Sequence, residues 1–326
     1  MKRIAINGFG RIGRLLCRMI SKDSNYELVV INDLATPKIL AHLLKYDTIH
    51  GHFIGNVNHS DESLFINQNK ISVLNIKDLE NLSWKDYDID ILFECTGKYK
   101  TKKELSCHIE LGAKKVILCC PPSSKDIPMV VLGVNDNILQ KKHDIISNAS
   151  CTTNCAAPMI KVLDDELKLK SAYVTTVHSY TSDQNLHDGI HADLRRARSA
   201  TNSIIPTTTG AAKALTNIFP HLDLGGCGIR VPVSNCSLID ITCFVNNKIS
   251  ISDVNSLFKD YSAKQTYNVL KYNTDPIVSI DVKASSFSCV YDSELTYSAN
   301  NMIKIVGWYD NESGYCSRLI DLINIV

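Results

Sequence analysis

Short apolar runs alternate with helically spaced apolar residues along the first 150 or so positions. Residues 4–7 read as a buried strand, and Ile12, Leu15, Leu16, Met19 and Ile20 then recur on one helix face. Residues 27–32 supply a second strand after a polar turn, which completes a βαβ unit. Further buried-strand patterns fall at 89–93 and 115–118. Between them, Thr101 and Glu104 form a capping box that starts another helix. Strands alternating with helices in this way predict a doubly wound parallel sheet.

Beyond about residue 150 strands predominate, at 172–178, 237–245, 277–281, 287–291 and 302–309. Their serial order predicts a mostly antiparallel second sheet. The stretch 179–209 is polar, carries Asp183, Arg195, Arg196 and Arg198, and has little periodicity; ordered loops of this length are usually functional or interfacial. Leu319, Ile320, Leu322 and Ile323 mark an amphipathic C-terminal helix. Pro158 falls inside an otherwise helical stretch, where it should kink the helix or remove one N–H bond. The fold class is therefore α/β: a doubly wound parallel-sheet domain over 1–150, followed by an α+β domain with a mostly antiparallel sheet.

A length of 326 residues fits two domains with a core each. Lys plus Arg number 35 against 34 Asp plus Glu, a net charge of +1, which argues against a general nucleic-acid or membrane-surface binder. The 12 cysteines have no framework spacing, so a reducing compartment is expected rather than disulfides. No apolar run approaches the ~20 residues that span a bilayer. Residues 1–6 lead straight into a glycine motif rather than a signal-type core, so the expected location is cytoplasmic.

Two constellations carry chemistry. Gly8-Phe9-Gly10-Arg11-Ile12-Gly13 has a strand before it and a helix after it, the setting of a dinucleotide-binding turn. A plain strand-to-helix turn is the competing reading. Asp33, 20 positions after Gly13 at the end of the second strand, favours the dinucleotide, because a carboxylate there can accept both ribose hydroxyls. The second constellation is SNASCTTNC at 147–155, where Ser150 reads as an N-cap and Cys151 falls in the first helical turn. Helix N–H groups and the dipole there favour a thiolate, making Cys151 a candidate nucleophile. Cys155, one turn later, also permits a metal-pair or redox reading. Zinc would want further ligands at short spacing and a redox pair is usually Cys-x-x-Cys, so Cys155 is read as a buried thiol and no metal is expected. Of the 10 histidines, His178 ends a strand and opens the polar loop, which suits a base for Cys151; a solvent-facing or core histidine is the competing reading. A protonated His178 beside Cys151 would form an ion pair with its thiolate.

INGFGRIGR at 6–14, LAHLLKYDTIHG at 40–51, SNASCTTNC, TTVHSYTSDQ at 175–184, DLRRAR at 193–198, IIPTTTGAAKA at 204–214, IRVP at 229–232 and WYDNESGY at 308–315 run in order over essentially the whole chain. Together they resemble the phosphorylating glyceraldehyde-3-phosphate dehydrogenases. The resemblance implies an NAD-binding first domain, to which the C-terminal helix 311–326 returns, and a catalytic domain over 151–310. It implies that Cys151 attacks the aldehyde of glyceraldehyde 3-phosphate and that His178 is the base. Inorganic phosphate then cleaves the resulting thioester to give 1,3-bisphosphoglycerate. NAD would rest on Gly8 to Gly13, Asp33, Thr96, Gly97, Cys119 and Tyr315, with Asn311 at the nicotinamide amide. The substrate phosphate would meet Thr181, Asp183, Arg196 and Arg230, and the attacking phosphate Ser150, Thr152, Thr209 and Gly210. Asp183 is expected to hold an arginine rather than touch an anion.

Relatives are homotetramers, which is the expected assembly. Departures are Ile190 where NAD-preferring relatives usually have proline, Cys119 in place of a serine, a shortened tract between Pro220 and Arg230, and Ser313 in the DNESGY segment. Erythrose-4-phosphate dehydrogenase shares the Cys–His pair but differs at PTTTGAAKA. A non-catalytic RNA-binding or adhesion role is disfavoured by the net charge and the intact Cys, His and Arg set.

Overall fold

The computed structural model describes residues 1–140 and 142–326. The chain divides into two units, one of Met1–Val130, Asn137–Ala149 and Arg318–Val326, the other of Val131–Asp136 and Ser150–Ser317. The first unit contains β1 (Lys2–Asn7), α1 (Arg11–Ile20), β2 (Tyr26–Asn32), α2 (Pro37–Lys45), β3 (Val57–His59), β4 (Ser63–Ile66), β5 (Asn69–Leu74), β6 (Ile91–Glu94), α3 (Lys102–Glu110), β7 (Lys115–Leu118) and β8 (Ile145–Ser147). Its sheet runs in the order β3-β4-β5-β2-β1-β6-β7-β8. From β5 to β8 every neighbouring pair is parallel, and β3, β4 and β5 form an antiparallel meander at one edge. The meander escapes sequence reading because its strands are short and mix polar with apolar residues. β1 lies between β2 and β6, so connections leave it in both directions; the carboxyl ends of β1 and β6 form the switch point where sheets of this kind take ligands. Ala5, Val30, Leu92, Val116 and Leu118 bury one face under Leu105 of α3 and the indole of Trp84. The Thr101–Glu104 capping box starts α3 as its sequence indicates.

The second unit begins with α4 (Cys151–Leu167) and continues through β9 (Ser171–Ser179), β10 (Ile205–Thr207), α5 (Gly210–Ile218), β11 (Asp223–Val231), β12 (Ser237–Phe244), α6 (Ile251–Lys264), β13 (Leu270–Asn273), β14 (Cys289–Ala299), β15 (Met302–Tyr309) and the start of α7 (Ser313–Ile323). The sheet order is β10-β11-β9-β12-β15-β14-β13. Only β11–β9 and β13–β14 are parallel, so this sheet is mostly antiparallel. α4 is buried from Thr152 through Ile160 and runs through Pro158 without ending there. Packing on all sides holds a helix that one missing N–H would weaken in water.

Residues 277–281 are not a strand. A 3-10 turn spans Ser279–Val282, and Asp281 accepts the Val278 N–H at 2.8 Å. Val278 and Ile280 are exposed, while Val282 packs near Cys236 and Val290. The alternating pattern was overridden by a local carboxylate cap. β11 is hidden in sequence by its three glycines, which disfavour a strand on propensity alone. Gly226 explains one of them, since a Cβ there would lie 2.5 Å from the Val174 carbonyl oxygen on β9. Among the described residues no helix is long and apolar enough to cross a membrane.

Gly226→Ala is expected to lower stability by about 1–3 kcal/mol, because strand backbones must move apart. Gly228→Ala, whose new Cβ would find nothing nearer than 3.6 Å, should stay within ~0.5 kcal/mol. Urea unfolding midpoints compare the two, and equal effects would contradict the steric reading.

Candidate active site

Ser150 caps α4 by accepting the Thr153 N–H at 3.1 Å, which sets Cys151 as the first helical residue. Ala149, just before the cap, has φ of +53°, a left-handed conformation that a non-glycine residue holds only under constraint. His178, near the end of β9, places Nε2 at 3.6 Å from Cys151 Sγ. The β9–β11 register sets Arg230 opposite His178. One guanidinium nitrogen, Nη1, lies 2.8 Å from both the Ser179 carbonyl oxygen and His178 Nδ1. That carbonyl is also 2.7 Å from Nδ1. Nδ1 thus has an acceptor and a donor beside it, and either imidazole tautomer is hydrogen-bonded. With the Nδ1 proton on Ser179, the Nε2 lone pair faces the thiol.

Burial pushes the Cys151 thiol up, against the Thr152 hydroxyl, the Arg230 charge and the helix-terminal N–H groups of Thr152 and Cys151 that favour its thiolate. Burial also lowers His178, aided by the positive charges of Arg230 and Arg196, to about 3. This structure therefore holds a thiol beside a neutral imidazole, not the ion pair that a helix N-terminus alone suggests. Desolvation outweighs the helix-terminal N–H groups at Cys151 and the Ser179 hydrogen bond at His178.

Three side chains outside the sequence-derived set complete the surroundings. Tyr309, buried at the end of β15, meets Thr152 Oγ1 at 3.1 Å and Thr176 Oγ1 at 2.9 Å, and its ring stands edge-on to His178. Ser179 and Ser237 donate to Asn311 Oδ1 at 2.9 and 3.2 Å, which leaves Nδ2 as the donor end of that amide. Tyr309 and Ser179 fall inside the WYDNESGY and TTVHSYTSDQ segments but were given no role there, and Ser237 had no sequence signal. Asp183 pairs with Arg196, whose Nε and Nη2 bond Thr207 Oγ1 at 2.9 Å and the Thr208 carbonyl at 3.0 Å. Thr209 then caps α5 and Gly210 opens it with no atom within 4 Å of where a Cβ would be. Two helix N-termini, at Ser150–Thr152 and Thr209–Gly210, thus belong to the same unit as the two arginines. Thr181 accompanies Gln184, which receives its N–H at 3.2 Å. Tyr315 is buried in the first turn and a half of α7.

The remaining sequence-derived residues lie in the first unit. Gly8 has φ of +93°, and a Cβ on it would sit 2.7 Å from the Thr96 N; one on Gly13 would sit 2.3 Å from the Gly8 carbonyl oxygen. The turn and the 95–96 backbone therefore lie in close contact, with no room for a side chain at Gly8. Gly10 precedes α1 in open space, Phe9 is buried, and Ile12 lies in the first turn. Arg11 reaches Asp47 at 2.7 Å. Asp33 accepts the Phe9 N–H at 2.7 Å and the Ala35 N–H at 2.9 Å, fixing its carboxylate against the glycine turn. Cys119 lies at 3.4 Å from Cys95 Sγ.

Glu94 was missed, although a carboxylate ending the apolar run 91–93 was a signal. Fully buried, it accepts from Asn7 Nδ2 at 2.6 Å, from the Thr96 N–H at 2.8 Å and from the Thr96 hydroxyl. The Trp84 indole N–H donates to His108 Nδ1 at 3.0 Å, so His108 Nε2 carries the proton that faces Glu94 at 3.1 Å. Among the described residues no group of three or more His, Cys, Asp or Glu could hold a metal ion.

Residues 2–102 match the glyceraldehyde 3-phosphate dehydrogenase NAD binding domain, and residues 150–311 match the C-terminal domain of the same family. The chain is 47% identical to glyceraldehyde-3-phosphate dehydrogenase 2 of Bacillus subtilis over 99% of its own length and 96% of that protein. It is 44% identical to a glyceraldehyde-3-phosphate dehydrogenase of Pseudomonas aeruginosa and 43% to one of Geobacillus stearothermophilus, each over 98% of this chain and 96% of the relative. The glycine turn without room for side chains, the exposed helix start and the anchored Asp33 carboxylate fit a dinucleotide, and NAD is the cofactor.

The depressed His178 value has a consequence for stability. An unfolded chain takes up the imidazole proton near 6.5, the folded one only near 3. Between these limits the unfolded state binds the extra proton, so stability falls as pH drops from 6.5 toward 3. His178→Gln should flatten this part of the pH dependence of the urea midpoint, and an unchanged slope would contradict the assignment.

Proposed function

This chain belongs to the glyceraldehyde 3-phosphate dehydrogenase family, and we propose that it converts D-glyceraldehyde 3-phosphate and inorganic phosphate to 1,3-bisphosphoglycerate. The observation that carries this reading is the Cys151 thiol 3.6 Å from His178 Nε2, with the Arg230 guanidinium 2.8 Å from Nδ1 behind the imidazole. Cys151 Sγ adds to the aldehyde carbon while its proton passes through His178 to the carbonyl oxygen, giving a thiohemiacetal and leaving the imidazole neutral. The Cys151 backbone N–H, at the start of α4, is placed to donate to the developing oxyanion. His178 Nε2 then takes the hydroxyl proton as the carbon is oxidised to a thioester. NAD, when bound, is the two-electron acceptor; Gly8 to Gly13, Asp33, Thr96, Gly97, Cys119 and Tyr315 hold it, with Asn311 toward the nicotinamide.

Inorganic phosphate attacks the thioester, the acyl phosphate leaves, and Cys151 recovers its proton from His178. Arg230 and Arg196, the latter kept in place by Asp183, bind the substrate phosphate together with Thr181. The hydroxyls of Ser150, Thr152 and Thr209 and the Gly210 N–H supply the second anion site. An anion on the arginines also offsets the charges that depress His178, so substrate binding makes the imidazole a better base. Leu186, Ile190, Leu194 and Ile204 are exposed along the loop between β9 and β10. Such an apolar row suits burial against another subunit, and a cytoplasmic homotetramer is the assembly we propose.

Steady-state turnover should rise and saturate with inorganic phosphate, and should be greater with glyceraldehyde 3-phosphate than with erythrose 4-phosphate. Arg230→Leu should weaken use of the phosphorylated aldehyde by ~2 kcal/mol or more in kcat/KM. Turnover indifferent to phosphate concentration would exclude the phosphorylating mechanism.

A further inference from the structure

Away from Cys151, the first unit brings two other thiols together. Cys95 follows β6 and Cys119 follows β7, parallel neighbours whose register pairs Glu94 with Leu118. The cysteines are the next pair along. The Cys95 thiol donates to Cys119 Sγ at 3.4 Å, and both residues are partly exposed. Cys120 beside them is a different case, since burial pushes its thiol up to about 11.

We propose that Cys95 and Cys119 form a second oxidisable site, a dithiol that hydroperoxides close to a disulfide and whose closure weakens NAD binding. Neighbouring strands lie about 4.8 Å apart, within the ~4.4–6.8 Å that bridged Cα atoms span. The sulfurs have to approach to about 2.05 Å, which side-chain rotation and a small shift of the strand ends accomplish. One thiolate attacks the peroxide oxygen, expels alkoxide or hydroxide, and becomes a sulfenic acid. The second sulfur attacks the sulfenic sulfur and water leaves. In sum the two thiols lose two electrons and two protons, and the O–O bond is reduced to an alcohol, or water, plus a further water.

The link to NAD is steric and rests on the cofactor lying over Thr96 and Gly97, as proposed above. A Cβ on Gly8 would sit 2.9 Å from the Cys95 carbonyl carbon and 2.7 Å from the Thr96 N, so the peptide after Cys95 lies directly against the glycine turn. Thr96 is in turn held by Glu94. Drawing Cys95 toward Cys119 therefore moves the backbone on which the turn rests.

The test uses the full-length Cys151→Ser protein, so that oxidation at the Cys151 site plays no part. It is treated with hydrogen peroxide, mapped by mass spectrometry and titrated with NAD. The expected result is one Cys95–Cys119 cross-linked peptide and an NAD dissociation constant raised about tenfold or more, both reversed by a dithiol reductant. Adding Cys95→Ser should abolish the cross-link and the peroxide-induced affinity loss together. Thiols at 95 and 119 that remain alkylatable after peroxide, or a cross-link with unchanged NAD affinity, would overturn the proposal. Failure of the reduced protein to bind NAD would instead overturn the cofactor reading.

Discussion

The contact between Arg230 and His178 governs the chemistry of the site. Parallel pairing of β11 with β9 sets a guanidinium against the back of an imidazole whose front faces Cys151. Burial, and secondarily the cation there, keep the imidazole unprotonated, so that it can receive a proton. The same cation favours a thiolate at Cys151 and suits a phosphate. One arginine thus serves three ends, and it does so because a strand register fixes its place. Gly226 lets those strands lie close enough for the register to form.

The first unit uses a buried acidic side chain in a comparable way. Glu94 ends a central strand, and its carboxyl group is satisfied by Asn7, Thr96 and His108. Donors in this number satisfy a buried carboxyl group by hydrogen bonding. Their effect is to fix the Thr96 backbone against the Gly8 turn, and so to shape the cradle before any ligand arrives.

Local features were legible in the sequence, and long-range partners were not. The glycine turn, the Ser150 cap and the Thr101–Glu104 box depend on residues a few positions apart, and Asp33 on one βαβ unit, so sequence spacing expresses them directly. The Ser250–Asp253 cap of α6, followed by buried Val254 and Phe258, was equally local and could have been read. Arg230 behind His178, Tyr309 between Thr152 and Thr176, and the serines on Asn311 depend on which strands become neighbours, and periodicity does not encode that choice. The balance between helix dipole and burial at Cys151 was hidden for the same reason: burial is a property of the whole fold.

The account turns on His178 acting as the base for Cys151, and chemical labelling of Cys151 with and without that imidazole tests it most directly. Substoichiometric iodoacetamide near neutral pH, followed by peptide mapping, should place the label chiefly on Cys151 and remove activity in proportion. In His178→Asn, labelling should slow and NADH formation should fall ~100-fold or more, while NAD binding changes little. Label found mainly on another cysteine with activity retained, or a His178→Asn protein that labels and turns over like the original, would contradict it.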